Sequence, residues 1–177
     1  MIIVLDLNGV LVDVRRYEDP IITKRPPDIV LPNRQKAYLN PFAKEFIDWL
    51  TDANVMVVLY TSRTRNNAAP IEHMISHICP QFKPVLMLHQ EDCDGMDGWR
   101  PLKSSDVVMN HLGPPNPDGI RTEDIVFVDD HPDRIKLSGA TAIRVNRYDA
   151  LKTDPEESHC DLRDVMWKLH HIFQKKV

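Results

Sequence analysis

The sequence opens on MIIVLDLNGVLVD. An apolar run, Ile2 to Leu5, delivers a carboxylate, Asp6; an amide, Asn8, follows two residues later, and then Gly9. Other apolar runs also end in reactive groups. "VMVVLYTSR" ends in Thr61, Ser62 and Arg63, "DIVFVDD" in Asp129 and Asp130 with His131 behind them, and "RPLKSSDVV" carries Lys103. Carboxylates, hydroxyls and cations of this kind suit a divalent metal that holds a phosphoryl group next to a nucleophile. A carboxylate that attacks phosphorus forms an acyl phosphate and splits hydrolysis into two easier steps. A lysine offsets phosphoryl charge as a point cation. The adjacent acids Asp129 and Asp130 would repel each other without a cation, so the pair itself points to a metal or a lysine. Taken singly, each piece has an ordinary structural use: Asp6 as a turn cap, Lys103 as a solvated helix-start residue, Asp129-Asp130 as a surface pair.

These groups must be positioned by strands. The runs Ile2–Leu5, Val55–Tyr60, Val85–Leu88 and Ile125–Val128, with a shorter one near Ala140–Val145, are too short for helices and suit strands covered on both faces. Between them lie helical stripes. Phe42, Phe46, Ile47 and Leu50 follow Asn40-Pro41, an N-cap with proline at the first helical position. Ile71, Met74, Ile75 and Ile78 form a second stripe, ended by Pro80. Leu162, Val165, Met166, Leu169, Ile172 and Phe173 form a third, expected to pack on its own sheet rather than on a partner helix. Alternating strands and helices imply an α/β fold with a central parallel sheet. Ligands in such sheets bind outside the carboxyl ends of the strands, where the reactive residues fall. Residues 14–39 are too long for a simple loop, and "DIVLPNRQKAYLN" reads as a hairpin turning near Asn33. Residues 112–120 read as a stiff, Pro-rich connection.

The 177 residues are expected to form one domain, 1–177. With 42% apolar and 27% charged residues, the chain has a globular composition. Its formal charge of -4 argues against a broad nucleic-acid or anionic-membrane surface. No run is long enough to span a bilayer, and no basic segment precedes Ile2 as in a signal peptide. Three widely spaced cysteines, Cys79, Cys93 and Cys160, give neither a disulfide framework nor a zinc pattern, and imply a reducing compartment, cytoplasm or nucleus. His73, His77 and Cys79, or His89 and Cys93, lack the partners a zinc site needs. Trp49 and Trp167 are expected to pack, whereas Trp99 in the loop "DGMDGWRP" is the tryptophan placed to meet a ligand.

The ordered pieces resemble the haloacid dehalogenase superfamily: a DxDx(T/V)-like motif, a Thr or Ser after the second strand, a Lys, and a late acidic pair. The finer resemblance is to phosphatases of the NIF/FCP type, which act on the RNA polymerase II C-terminal domain, and it covers roughly residues 1–175. "YLNPFAKEFIDWL" and "IVFVDDHP" carry it. It implies a Rossmann-like fold with a small β-flap after the first strand and no large cap. It also implies Mg²⁺ held by Asp6, the backbone carbonyl of Asn8 and Asp130, with Asp129 orienting Lys103 or a metal-bound water. Asp6 would be the nucleophile. Thr61 would donate its hydroxyl or backbone N–H to the phosphoryl group, helped by Ser62, Arg63 and His131, and Arg63 and Arg65 would add charge for the substrate.

The sequence departs from the pattern at Asn8, where the family's acid/base aspartate stands. An asparagine keeps the carbonyl for the metal but cannot carry a proton, and general acid–base help is worth about 10²–10⁴-fold. Two readings follow. One is a Mg²⁺-dependent phosphatase acting on phosphoserine or phosphothreonine in protein segments. The other is a phosphatase-like module that binds a phospho-ligand or protein without turnover. Phosphate removal from nucleic-acid ends shares the chemistry and would need a basic groove around Arg15, Arg16, Lys24 and Arg25.

Overall fold

In the computed structural model, residues 1–16, 26–113, 119–151 and 162–175 are described. The elements are β1 (Ile2–Leu5), β2 (Val12–Arg15), β3 (Ile29–Val30), β4 (Lys36–Leu39), α1 (Ala43–Asp52), β5 (Met56–Tyr60), α2 (Arg65–Ile78), β6 (Leu86–Leu88), β7 (Met96–Asp97), β8 (Arg100–Pro101), β9 (Lys103–Ser104), α3 (Ser105–Leu112), β10 (Ile125–Asp129), β11 (Ile135–Lys136), β12 (Thr141–Arg144) and α4 (Leu162–Lys175). Each of the five apolar runs named above is a strand of one parallel sheet, in the order β12-β10-β1-β5-β6.

Strand β1 is central, and all four of its residues are buried because the sheet is covered on both faces. Alternate side chains point to opposite faces. Ile3 and Leu5 join a core shared with α1, α2 and α4, including Phe46, Ile71 and Leu169. Ile2 and Val4 join a second core with Val108 of α3 and Phe127 of β10.

The flap is the antiparallel set β2-β4-β3. Its β3–β4 hairpin turns at Asn33 as expected, closed by Leu31 N–H to Gln35 O and Arg34 N–H to Leu31 O. Residues 17–25 of the expected insert and 114–118 of the Pro-rich connection lie outside the described residues. No large cap domain stands over the sheet among the described residues.

Helix α1 starts at Ala43, two residues after the expected Pro41. Asn40 still caps it: its Oδ1 accepts from Phe42 N–H at 3.0 Å and its carbonyl from Ala43 N–H, so the first turn is tight rather than α-helical. The α4 stripe packs inward through Leu162, Val165 and Leu169, and Phe173 stacks on Trp49 at 5.6 Å. Trp167 corrects an expectation, since it is 63% exposed instead of packed. It lies two residues from both Val165 and Leu169, on the opposite side of the helix. No described helix is long and apolar enough to cross a membrane.

Candidate active site

Strand register brings the acids together. Leu5 pairs with Val128, so Asp6 and Asp129 leave neighbouring strands at one level, and Asp6 N–H donates to Val128 O at 3.1 Å. The β1–β10 border is where the strand order reverses, with β5 and β6 on one side and β10 and β12 on the other. Such a switch point opens a crevice at the carboxyl ends of the strands.

Lys103 enters this crevice from β9, which pairs with β11 just beyond the acidic strand end. Ser104 then caps α3 by accepting from Asp106 N–H at 3.1 Å. Lys103 Nζ lies 2.6 Å from Asp129 Oδ2 and 2.8 Å from Asp6 Oδ1. Asp6, Lys103, Asp129 and Asp130 are all buried. Burial pushes the Asp6 carboxyl up to about 7; Lys103 opposes this, while Asp129 and Asp130 add to it. Burial works against the Lys103 charge, but Asp6 and Asp129 outweigh it and hold the ammonium above its ordinary pKa. Asp130 is also raised, by burial and by Asp129, against His131, Arg147 and Lys103.

The donor set fits a small divalent cation. Asp6, Asp129 and Asp130 each offer an oxygen, all within 4.8 Å of one another. Asp6 Oδ1 is buried and, although in ionic contact with Lys103, accepts no aligned hydrogen bond. Hard, converging oxygen donors are the set Mg²⁺ takes. Gly9 makes the arrangement possible. Its φ of +97° favours glycine, and a Cβ there would lie 2.3 Å from Asp130 Oδ2. Tyr148 N–H donates to Gly9 O, and Asn40 Nδ2 to Val10 O, which fixes the turn from both sides.

These groups line a cavity of about 370 Å³ that gathers most of the residues singled out in the sequence: Asp6, Asn8, Ser62, Arg63, Lys103, Asp129, Asp130 and His131. Trp99 stands at its wall, 78% exposed, on the β7–β8 hairpin. Asn8 Oδ1 accepts from Val14 N–H at 2.9 Å, which ties the amide to the root of the flap. Thr61 is buried and is not among the lining residues. Its N–H already donates to Leu88 O at 3.0 Å, so the backbone half of the Thr61 expectation does not hold and only the hydroxyl is left for a ligand. Arg65 is exposed and also does not line the cavity.

The zinc alternatives stay apart. Asp6, Asp129 and Asp130 form the metal-competent cluster among the described residues. His73 and His77 are exposed. His89 is a buried histidine held by Glu72 at 2.9 Å, and Cys93 donates to its carbonyl. Of the basic groove, Arg15 is paired with Asp13 and Asp149, and Lys24 and Arg25 lie outside the described residues.

Sequence reasoning missed three residues. Arg147 lines the cavity and places Nη1 3.1 Å from Asp130 Oδ2. It follows β12 by three residues, so reading that strand end as the others were read would have found it. Arg134, in the 3₁₀ turn after His131, also lines the cavity. Asp13, fully buried on β2, accepts from Arg15 Nε at 2.6 Å and Ala150 N–H at 2.9 Å, and so joins the flap root to the segment that carries Arg147.

This architecture can be compared with known proteins. The sequence matches the family model of NLI interacting factor-like phosphatases over residues 1–176. The chain belongs to that family. Its fold is that of the haloacid dehalogenase phosphatases, and the domain is of phosphatase type. Among solved structures it is similar to Fcp1, an essential RNA polymerase II CTD phosphatase, with a TM-score of 0.56 and 15% identity over 83% of this chain and 42% of that one. It is also similar to a fission yeast Fcp1 variant bound to beryllium fluoride, with a TM-score of 0.52 and 13% identity over 94% of this chain and 50% of that one. At these identities the likeness is one of fold. The family domain seen here spans half or less of those Fcp1 chains. No curated protein matches the sequence.

Proposed function

We propose that the chain is a Mg²⁺-dependent phosphoric monoester hydrolase that works through a phosphoaspartate on Asp6, with phosphoserine or phosphothreonine in protein segments as substrate. The observation that carries this reading is Lys103 held between Asp6 and Asp129, with Asp130 alongside, at the carboxyl ends of adjacent strands. Asp6 and Asp130 would hold Mg²⁺, with the Asn8 carbonyl as a third ligand by family resemblance. When bound, the ion supplies positive charge to the phosphoryl oxygens. An Asp6 oxygen attacks phosphorus, the ester P–O bond breaks and the leaving alkoxide takes its proton from solvent water; water then cleaves the acyl phosphate, which releases inorganic phosphate and restores the Asp6 carboxylate. Lys103 and the Thr61 hydroxyl stabilise the charge that develops on the phosphoryl oxygens. The open cavity, with no large cap over it among the described residues, suits a macromolecular substrate better than a small metabolite.

Asn8 sets the rate. Its amide carries no proton to the leaving alkoxide, and its Oδ1 is engaged by Val14 N–H. Aryl phosphates, whose leaving groups need little protonation, are therefore the better substrates. The expected outcome is Mg²⁺-dependent hydrolysis of p-nitrophenyl phosphate that Asp6→Asn abolishes. Asn8→Asp is expected to raise turnover of a phosphoserine peptide by about 10²-fold or more, and of the aryl ester by less. Activity undiminished in Asp6→Asn would exclude the mechanism. The same feature supports a second reading, a module that binds a phospho-ligand without turnover. Inactivity in both the native chain and Asn8→Asp, with phosphopeptide binding intact, would establish it.

A further inference from the structure

Two arginines on the cavity wall have donors with nothing to hold. Arg63 Nε and Arg134 Nε are both buried, and neither has a hydrogen-bond partner. Arg63 donates through Nη1 to Gln35 Oε1, a neutral amide on the flap hairpin, at 3.0 Å. Neither arginine is in ion-pair contact with a carboxylate among the described residues, whereas Lys103 and Arg147 are both committed to the catalytic acids. A buried guanidinium N–H without an acceptor carries its full desolvation cost, and a planar guanidinium is shaped to take a carboxylate or phosphate in two parallel bonds.

The charge balance of the cavity agrees. Four cations, Arg63, Lys103, Arg134 and Arg147, line it against three carboxylates, Asp6, Asp129 and Asp130. That leaves one positive charge, and a divalent metal among the acids raises the surplus to three. A phosphomonoester brings close to two negative charges at neutral pH, so about one remains unmatched.

We propose that Arg63 and Arg134 form a second anion subsite beside the Asp6 centre, so that the preferred ligand is a phosphorylated protein segment with another anionic group, a carboxylate or a second phosphate, next to the phosphoryl group. The proposal rests on the phosphatase-site reading above. A protein segment is favoured over nucleic acid because the chain carries a net charge of -4 and Arg15, at the flap root, is tied to Asp13 and Asp149.

The test is calorimetric binding, in Mg²⁺, of peptides whose phosphoserine is replaced by a non-hydrolysable phosphonate. One peptide has neutral flanks, one has adjacent aspartates and one has a second phosphonate; a 5′-phosphorylated oligonucleotide is the fourth ligand. The doubly anionic peptides are expected to bind about tenfold or more tightly than the neutral-flanked one. Arg63→Gln and Arg134→Gln should bring that ratio towards one, and Arg134→Lys, which keeps the charge, should keep part of it. Thermal melts of each variant separate loss of the subsite from loss of fold. A gain with aspartates identifies a carboxylate ligand; a gain confined to the second phosphonate identifies a phosphate. Equal affinity for all three peptides, a ratio unchanged in both glutamine variants, or tighter binding of the oligonucleotide than of every peptide would overturn the proposal. No binding of any phosphonate peptide would instead bring down the underlying phosphatase-site reading.

Discussion

Asp6 is held in a state that a metal would change. Its carboxyl sits near 7 in the fold against 3.8 in an ordinary carboxyl, chiefly because it is buried. A raised acid binds its proton more tightly folded than unfolded, so this group favours the metal-free fold below the ordinary value. That contribution is lost as pH rises from about 4 through about 7. A cation competes with the same proton. The expected result is a metal-free protein whose thermal stability falls across this window, and a stabilisation by Mg²⁺ that grows with pH until it levels off above about 7. Melts between pH 5 and 8.5, with and without Mg²⁺, check both slopes, and a Mg²⁺ effect that shrinks as pH rises would contradict this account. Lys103 explains why the cluster is tolerated at all. It sits within 2.8 Å of two buried carboxylates that would otherwise face each other unpaired.

At the scale of the element, the turn between β1 and β2 does most of the positioning. Gly9 turns the chain at φ +97° with Asp130 Oδ2 where a methyl group would stand. Gly9→Ala is therefore expected to fold less stably, by about 1–3 kcal/mol from backbone strain, and to bind Mg²⁺ more weakly than the loss of fold explains. Equilibrium unfolding and metal titration of the same variant separate the two effects. The elements that carry Asp6, Thr61 and Asp129 were legible because a buried parallel strand reads as a continuous apolar run. The hairpin at Asn33 was legible from its turn residues. Arg134 was not, because a short turn aims it at the cavity and no spacing in the sequence records that aim; Arg147, three residues past the end of β12, was open to the same strand-end reading as the acids. Asp13 was hidden for a related reason: it is a polar residue in an apolar strand whose partners, Arg15 and Ala150, include one far along the chain. Trp167 was expected to pack because it lies in a helical stretch, although helical geometry already placed it opposite the buried stripe. The Thr61 amide could not be foreseen as occupied, because that depends on β6 pairing beside β5.

At the scale of the whole molecule, the sheet separates stability from chemistry. One face is closed by α1, α2 and α4, the other by α3, and the site occupies the rim where the strands end. Leu169 of α4 is fully buried in the first core, away from the cavity. Leu169→Ala is expected to cost about 2–5 kcal/mol of stability and to leave phospho-ligand affinity per folded molecule unchanged. Denaturant unfolding and calorimetry on one preparation check both halves. The Fcp1 chains, of which this domain covers 42% and 50%, keep the fold at 15% and 13% identity. The two-sided core, satisfied by many apolar combinations, tolerates such divergence.

The hairpin that carries Trp99 has one more consequence. The three indoles of the chain sit in different surroundings. Trp49 is stacked between Phe46 and Phe173, Trp167 lies on the outer side of α4 beside His171, and Trp99 stands on the cavity wall, open to water, with the Arg100 guanidinium over its ring at 4.9 Å. Indole emission depends on the polarity around the ring, so the molecule has an unlabelled optical reporter at the mouth of its site. Phosphopeptide binding should shift the emission and shield it from a water-soluble quencher. Trp99→Phe should remove that response while the emission of the other two indoles persists.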